Sequence, residues 1–216
     1  MTFLEAVNAV LLRLRQSEVN GWDANDYSKL IGQFVNEAKR EVEDAHEWHA
    51  LRTYGLSALV GDGSETAEFT GTTQRTRIIQ LFNGTDDTPM MAMPRNEIVR
   101  RRNIGTTTKA KPYFYAMSGY NSSGEVKVEL WPTSDASYSI TMDAIVPQAD
   151  LDSNNAMIEV PPDAVKLRAL ALALGERGDD GGQGFAQVMR EYDIALTDAV
   201  NRDKDNGPYH EAWVVV

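Results

Sequence analysis

Residues 1–52, MTFLEAVNAVLLRLRQSEVNGWDANDYSKLIGQFVNEAKREVEDAHEWHALR, decide how this chain begins to fold. Thr2 and Glu5 form a T-x-x-E capping box, in which each side chain satisfies a backbone N–H at a helix start. Phe3, Val7, Val10, Leu11 and Leu14 then recur at helical spacing, which predicts a first helix over 3–17. Asn20, Gly21, Asp23 and Asn25 punctuate a turn. Beyond it Tyr27, Leu30, Ile31, Phe34, Ala38, Val42, Ala45 and Trp48 make one apolar stripe, with Lys29, Asn36, Lys39 and Glu43 expected on the opposite, solvated face. Two helices joined by a short turn lie antiparallel, and such a hairpin needs a third surface to cover its stripe.

Outward from this hairpin the period changes. Tyr54–Val60, Thr66–Thr70, Thr76–Phe82 and Thr88–Met93 are β-prone segments separated by GDGS, GTTQ and NGTDD turns. Val126, Val128 and Leu130 alternate with Lys127, Glu129 and Trp131; after PTSDAS the alternation resumes at Tyr138, Ile140, Met142, Ala144 and Val146, which reads as a hairpin with one buried face. Helical spacing returns after VPPD, where Pro161 and Pro162 suit a helix start and Asp163 complements the positive end of its dipole. Leu167, Leu170, Ala171 and Leu174 share one side. After GDDGGQG, the residues Phe185, Val188, Met189, Tyr192, Leu196 and Val200 form the stripe of a further helix.

The expected fold is therefore α+β. A four-helix bundle forms from the N-terminal hairpin (1–52) and the C-terminal helices (150–206), an antiparallel β-rich module (53–149) is inserted between them, and an extended C-terminal arm (207–216) follows. That arm, a β-branched and aromatic stretch beyond a Gly-Pro break, suits addition to another chain.

Composition narrows the function. At 216 residues and 42% apolar content, the chain can bury a core. Without cysteine it has no disulfide, thiolate nucleophile or zinc-thiolate site. No signal-peptide pattern opens it and no apolar run approaches the roughly 20 residues of a membrane span, so a soluble protein made in a host cytoplasm is expected. The net charge of −11 is uneven: residues 150–216 carry 13 acids against 6 bases, whereas 53–149 is nearly neutral and holds Arg75, Arg77, Arg95 and the run Arg100, Arg101, Arg102. Phosphate affinity comes from cations, so an acidic chain is expected to sit beside DNA without binding it.

The chemical motifs are sparse. Glu43 and His46 form an E-x-x-H pair with His49 nearby, half of a di-metal motif, but its matching half is absent and a solvated helix face is the plainer reading. The glycine-rich loop 178–184 lacks the Lys-Ser/Thr of a phosphate loop, and its two acids repel phosphate. Neither a G-x-S-x-G elbow nor an H-E-x-x-H sequence occurs, so no catalytic residues, metal or cofactor are expected. Asn83-Gly84-Thr85 and Asn121-Ser122-Ser123 match a glycosylation pattern without secretory context. The arginine run reads either as a charged loop or edge strand, or as a surface for an acidic neighbouring subunit. Trp131, Tyr113 and Tyr115 suit sugar stacking as well as core packing.

Several phrases together resemble a known family: MTFLEAVNAVLLRLRQSEV (1–19), NDYSKLIGQFVNEAKREVEDAHEWHALR (25–52), VPQADL (146–151) and GERGDDGG (175–182). They are similar to the head-to-tail adaptors of tailed bacteriophages, the tail tubular protein A family. The resemblance implies a structural virion protein at the head-tail junction, a twelve-copy ring beneath the portal protein, and a platform for the tail nozzle or another tail protein, with possible fibre contact. It also implies a DNA channel through the ring, no sequence-specific DNA binding, and no membrane. On this reading the arm (Pro208, Tyr209, Trp213, Val214, Val215 and Val216) engages the portal. Arg100, Arg101 and Arg102 are candidates for contact between subunits. Glu176, Asp179, Asp180, Asp193 and Asp198 are candidates to face the channel, where cations would brake passing DNA. The alternatives are a tail-associated peptidoglycan hydrolase and a carbohydrate- or receptor-binding module.

Overall fold

The computed structural model describes residues 1–104, 109–178 and 183–205. The chain forms two compact units, one from residues 1–51 together with the chain from 148 onward, the other from residues 52–147.

In the first unit, helix α1 (Phe3–Arg13) starts at the anticipated capping box: Glu5 N donates to Thr2 Oγ1 (3.2 Å) and Thr2 N to Glu5 Oε2 (2.8 Å). It ends four residues before the predicted boundary, because Arg15 turns left-handed (φ 58°) and the Gln16 amide reaches back to the Leu11 carbonyl at 2.9 Å. Helix α2 (Asp26–Ala45) is capped by Asn25, whose side chain accepts from the Ser28 amide at 2.8 Å. Phe3 and Trp22 (ring centroids 5.5 Å apart) lie against Gly32, where an added Cβ would stand 3.0 Å from Trp22 and 3.2 Å from Phe3. A side chain there would require the Trp22 or Phe3 ring to give by a few tenths of an ångström.

Helix α4 (Pro162–Arg177) packs on both α1 and α2 through Ala164, Val165, Ala169, Leu170, Ala171 and Ala173, and stops where Gly178 adopts φ 63°. Helix α5 (Gln183–Asp205) lies along α4 and buries only Val188, Tyr192 and Ala199. Glu41 on α2 and Arg168 on α4 form an ion pair, and Arg168 also reaches Met189 of α5.

The second unit is a seven-stranded sheet with strands β1 (Arg52–Val60), β2 (Thr66–Phe69), β3 (Arg77–Asn83), β4 (Thr88–Ala92), β5 (Phe114–Tyr120), β6 (Val126–Trp131) and β7 (Tyr138–Ile145). Their order is β1-β7-β3-β4-β5-β6-β2, and the two edge strands pack beside one another, so the sheet nearly closes into a barrel. Phe69, Leu81, Val126, Val128, Leu130, Ile140, Met142 and Ala144 fill it.

This architecture overturns the expected four-helix bundle with a small antiparallel insert. There are five α-helices among the described residues, and the sheet is mixed, since β4 runs parallel to β5. A parallel pair needs a crossover, and helix α3 (Arg95–Ile104) supplies it. Its sequence, RNEIVRRRNI, buries only Ile98, so no apolar period announced it. The anticipated β6–β7 hairpin does not form either: β6 pairs with β2 and β5, and β7 with β1 and β3. Alternation identifies a strand and its buried face but not its neighbour.

Candidate functional site

Helix α3 splits the arginine run between two carboxylates. Arg95, Ile98 and Arg102 recur at i, i+3 and i+7, one face of a helix, and that face meets the outside of β5 and β6. Beneath it, Glu129 is 5% exposed, although strand alternation assigned it to solvent. Arg95 Nε donates to Glu129 Oε1 at 2.8 Å, and Arg102 Nη1 lies 3.5 Å from Oε2. Arg102 Nη2 donates to the Leu130 carbonyl at 2.9 Å and to the Glu65 carbonyl at 3.2 Å. Arg102 thus fastens α3 to the sheet. A planar guanidinium with several donors in a fixed fork suits this role.

Arg100 and Arg101 have a different carboxylate as partner. Both bind Glu97: Arg100 through Nε (2.8 Å) and Nη2 (2.9 Å), Arg101 through Nε (2.9 Å). Hydrogen bonds from Arg100 and then Arg101 pull the Glu97 carboxyl down to about 2, so it stays ionised and the triad carries one net positive charge. Arg101 also stands 5.8 Å over the Phe114 ring. Beside them a hollow of about 340 Å³ is lined by Arg100, Arg101, Ile104 and Trp131, with Ile104 74% exposed. Of the other aromatic candidates, Tyr113 is exposed beside Lys111, and Tyr115 packs against the core of the sheet, where burial raises its hydroxyl pKa.

In the helical unit, Glu176, Asp193 and Asp198 are all exposed. Asp179 and Asp180 lie outside the described residues, as do Pro208, Tyr209, Trp213, Val214, Val215 and Val216. The E-x-x-H pair points apart. Glu43 is buried against Lys39 (3.0 Å), while His46 Nε2 donates to Asp203 Oδ2 at 3.1 Å. The same oxygen accepts from His49 Nδ1 (2.9 Å) and the His49 amide (3.2 Å), so three donors from the end of α2 and the turn after it hold the last turn of α5. Among the described residues, no group of three or more His, Asp or Glu is arranged to hold a metal ion.

Sequence reasoning missed a second polar cluster entirely. Lys39 and Glu43, assigned to a solvated face, are fully buried, and Lys39 Nζ also donates to the carbonyls of Gln148 (2.7 Å) and Ala149 (3.0 Å). One turn earlier, Asn36 accepts from the Leu151 amide (2.8 Å) and donates to its carbonyl (3.0 Å). The polar side of α2 is therefore a second interface, which holds the returning chain at 148–151. The available signal was a spacing, Asn36, Lys39 and Glu43 at i, i+3 and i+7, with no residue-type signature in its partner.

No helix of the described residues is long and apolar enough to cross a membrane. A family model described as SU10 adaptor protein matches residues 1–212. No curated protein matches the chain.

Proposed function

The chain belongs to the SU10 adaptor protein family, and we propose that it forms a ring of identical copies, twelve in number, between the portal protein of a phage head and the tail. Membership makes it a phage adaptor, a structural component of the virion, which supports contact with portal and tail proteins. The observation that carries the proposal is the extent of the match, which takes in both structural units and leaves only four residues outside it. On this reading the ring extends the DNA channel from the portal, the arm 207–216 engages the portal, and a tail nozzle or other tail protein docks on the opposite side.

Charge supports the channel role. The segment 150–216 has seven more acids than bases, and exposed Glu176 and Asp193 suit a wall that DNA must pass without being held. The test is to mix the purified chain with the portal ring encoded in the same genome and image the product by electron microscopy. A collar of added density with the portal's symmetry supports the reading. Bare portal rings beside unassembled chain, at micromolar concentration and low salt, refute it. Deleting 207–216 should abolish docking while the circular dichroism of the fold is unchanged.

A further inference from the structure

We infer that Asn20, followed by Gly21 in the turn between α1 and α2, is a site of spontaneous deamidation, and that its isoaspartyl product releases this turn from the returning chain at 152–154. The inference is independent of the ring reading.

The reaction needs no partner but water. The Gly21 amide nitrogen attacks the side-chain carbonyl carbon of Asn20, its proton passes to the departing amide group, and ammonia leaves as a succinimide ring closes. Water then opens the ring at one carbonyl or the other, giving aspartate or isoaspartate. Three conditions favour it: an asparagine side chain free to turn, a following amide that is not held, and a following residue without Cβ, which leaves that nitrogen uncrowded.

The sequence has three Asn-Gly pairs, at 20, 83 and 206. Asn206 and Gly207 lie outside the described residues. Asn83 is fully buried in β3, where its Oδ1 accepts from the Thr85 amide at 3.2 Å. The Gly84 amide, which would have to attack, donates to the Ser139 carbonyl at 2.7 Å, and Thr141 Oγ1 crowds the glycine. A ring cannot close there until the strand opens. Asn20 meets the opposite conditions. It is exposed and outside any helix or strand, and among the described residues neither its side chain nor the Gly21 amide has a hydrogen-bond partner.

Both neighbours of the pair are anchored. Asn8 holds Val19 by both backbone groups, accepting from its amide at 2.9 Å and donating to its carbonyl at 3.0 Å. The returning chain holds Trp22, whose amide donates to Asn154 Oδ1 at 3.0 Å and whose indole N–H donates to the Asp152 carbonyl at 3.2 Å. Asn20 and Gly21 therefore bridge two fixed points. Isoaspartate routes the backbone through the side chain and lengthens that bridge by one methylene, whereas ordinary aspartate leaves its length unchanged. The Trp22 backbone, held by one hydrogen bond against two at Val19, is the end that yields.

The test is peptide mapping by mass spectrometry of the full chain aged in warm, mildly alkaline buffer, with isoaspartate identified by an isoaspartate-specific methyltransferase. Asn20 should deamidate at least about tenfold faster than Asn83 in the folded chain, because Asn83 reacts only from a locally opened state. In urea, with both sites unfolded, the two rates should converge. Gly21→Ala, whose added Cβ meets only the ends of the Asp23 and Asn154 side chains, should slow the reaction at Asn20 and leave Asn83 unchanged. Hydrogen exchange at the Trp22 amide should rise about five- to tenfold in the isoaspartyl form, the worth of one hydrogen bond. It should stay near wild type in N20D, which carries the new charge without the extra methylene. An Asn20 that stays intact in the folded chain while reacting in urea, or an Asn83 that reacts as fast as Asn20 without urea, would overturn the site. An isoaspartyl chain with Trp22 as protected as in wild type would overturn the release of the turn. None of these readings involves the portal, so their failure leaves the adaptor reading standing.

Discussion

Replacing Lys39 with methionine removes one member of an ion pair whose two side chains have no solvent exposure. Methionine fills most of the space of the lysine stem, so the loss is electrostatic rather than volumetric. Breaking a buried pair from one side costs about 3–5 kcal/mol, since the remaining charge keeps its desolvation penalty. Glu43 keeps a further interaction beyond Lys39, which places the expectation near the bottom of that range, about 3 kcal/mol. The carbonyls of Gln148 and Ala149 lose their donor too, but Ala149 is exposed and water can replace it there. For a chain of this length, that destabilisation lowers the melting temperature of the helical unit by on the order of 10 °C.

The decisive comparison is with K39M/E43M. Replacing a buried pair by apolar side chains is often neutral, so the double variant should return to within about 1 kcal/mol of wild type. Urea unfolding at pH 7 measures all three chains, and hydrogen exchange at the Leu151 amide, which donates to Asn36 one turn from Lys39, reports whether the returning segment has loosened. A single variant that loses less than about 1 kcal/mol, or a double variant as weak as the single one, would refute the view that this pair is held by burial on both sides.

The Thr2→Ala variant removes the acceptor for the Glu5 amide and should cost about 1 kcal/mol in thermal unfolding, with Thr2→Ser nearly neutral; equal losses would show that the cap contributes through something other than its hydroxyl. At Gly84 an added Cβ would sit 2.6 Å from Thr141 Oγ1 and 3.3 Å from the Ser139 carbonyl, so Gly84→Ala should destabilise the sheet unit by about 1–3 kcal/mol and Thr141→Ala in the same chain should relieve part of it. Glu97, whose pKa falls to about 2 in the folded chain from the ordinary glutamate value of 4.5, contributes stability that is present above 4.5 and lost as pH drops through 2, so carbon NMR should find its carboxylate still ionised at pH 3.5. A Glu97 titration centred near 4.5 would mean that the arginine triad is not formed in solution. Asp203→Ala frees three donors at the end of α2 and should raise hydrogen exchange in the last turn of α5 while leaving α1 unchanged.

What the sequence disclosed and what it concealed divide along one physical line, the distance between partners. The Thr2–Glu5 box and the left-handed stop at Gly178 are settled within a few residues, and the sequence carries both halves of each interaction. The strands β1 to β4 were legible to within a residue or two, since alternation is a property of the strand itself. Their neighbours were not, because β7 and β1 meet across more than seventy residues with no residue-type pairing to mark it. Helix α3 was hidden for a related reason: its anchors are arginines bound to a glutamate on a strand 27 to 34 residues away, and such a face looks solvated until the carboxylate beneath it is found.

Lys39 carries this argument furthest. Of its three acceptors, two are backbone carbonyls at 148 and 149, and Asn36 likewise binds the backbone of Leu151 on both sides. Backbone groups are the same whatever residue bears them, so the returning segment offers no pattern to match. Only the helix side of the seam is encoded in residue type, as polar side chains at i, i+3 and i+7 beside an apolar stripe. A lone helix places such a row in water; a helix that must also hold a strand of returning chain places it inside, where each N–H and carbonyl of that chain needs a partner. The row on α2 therefore binds the chain's return while the rest of the helix packs on α1 and α4, and it explains how residues more than a hundred positions apart in sequence close one helical unit.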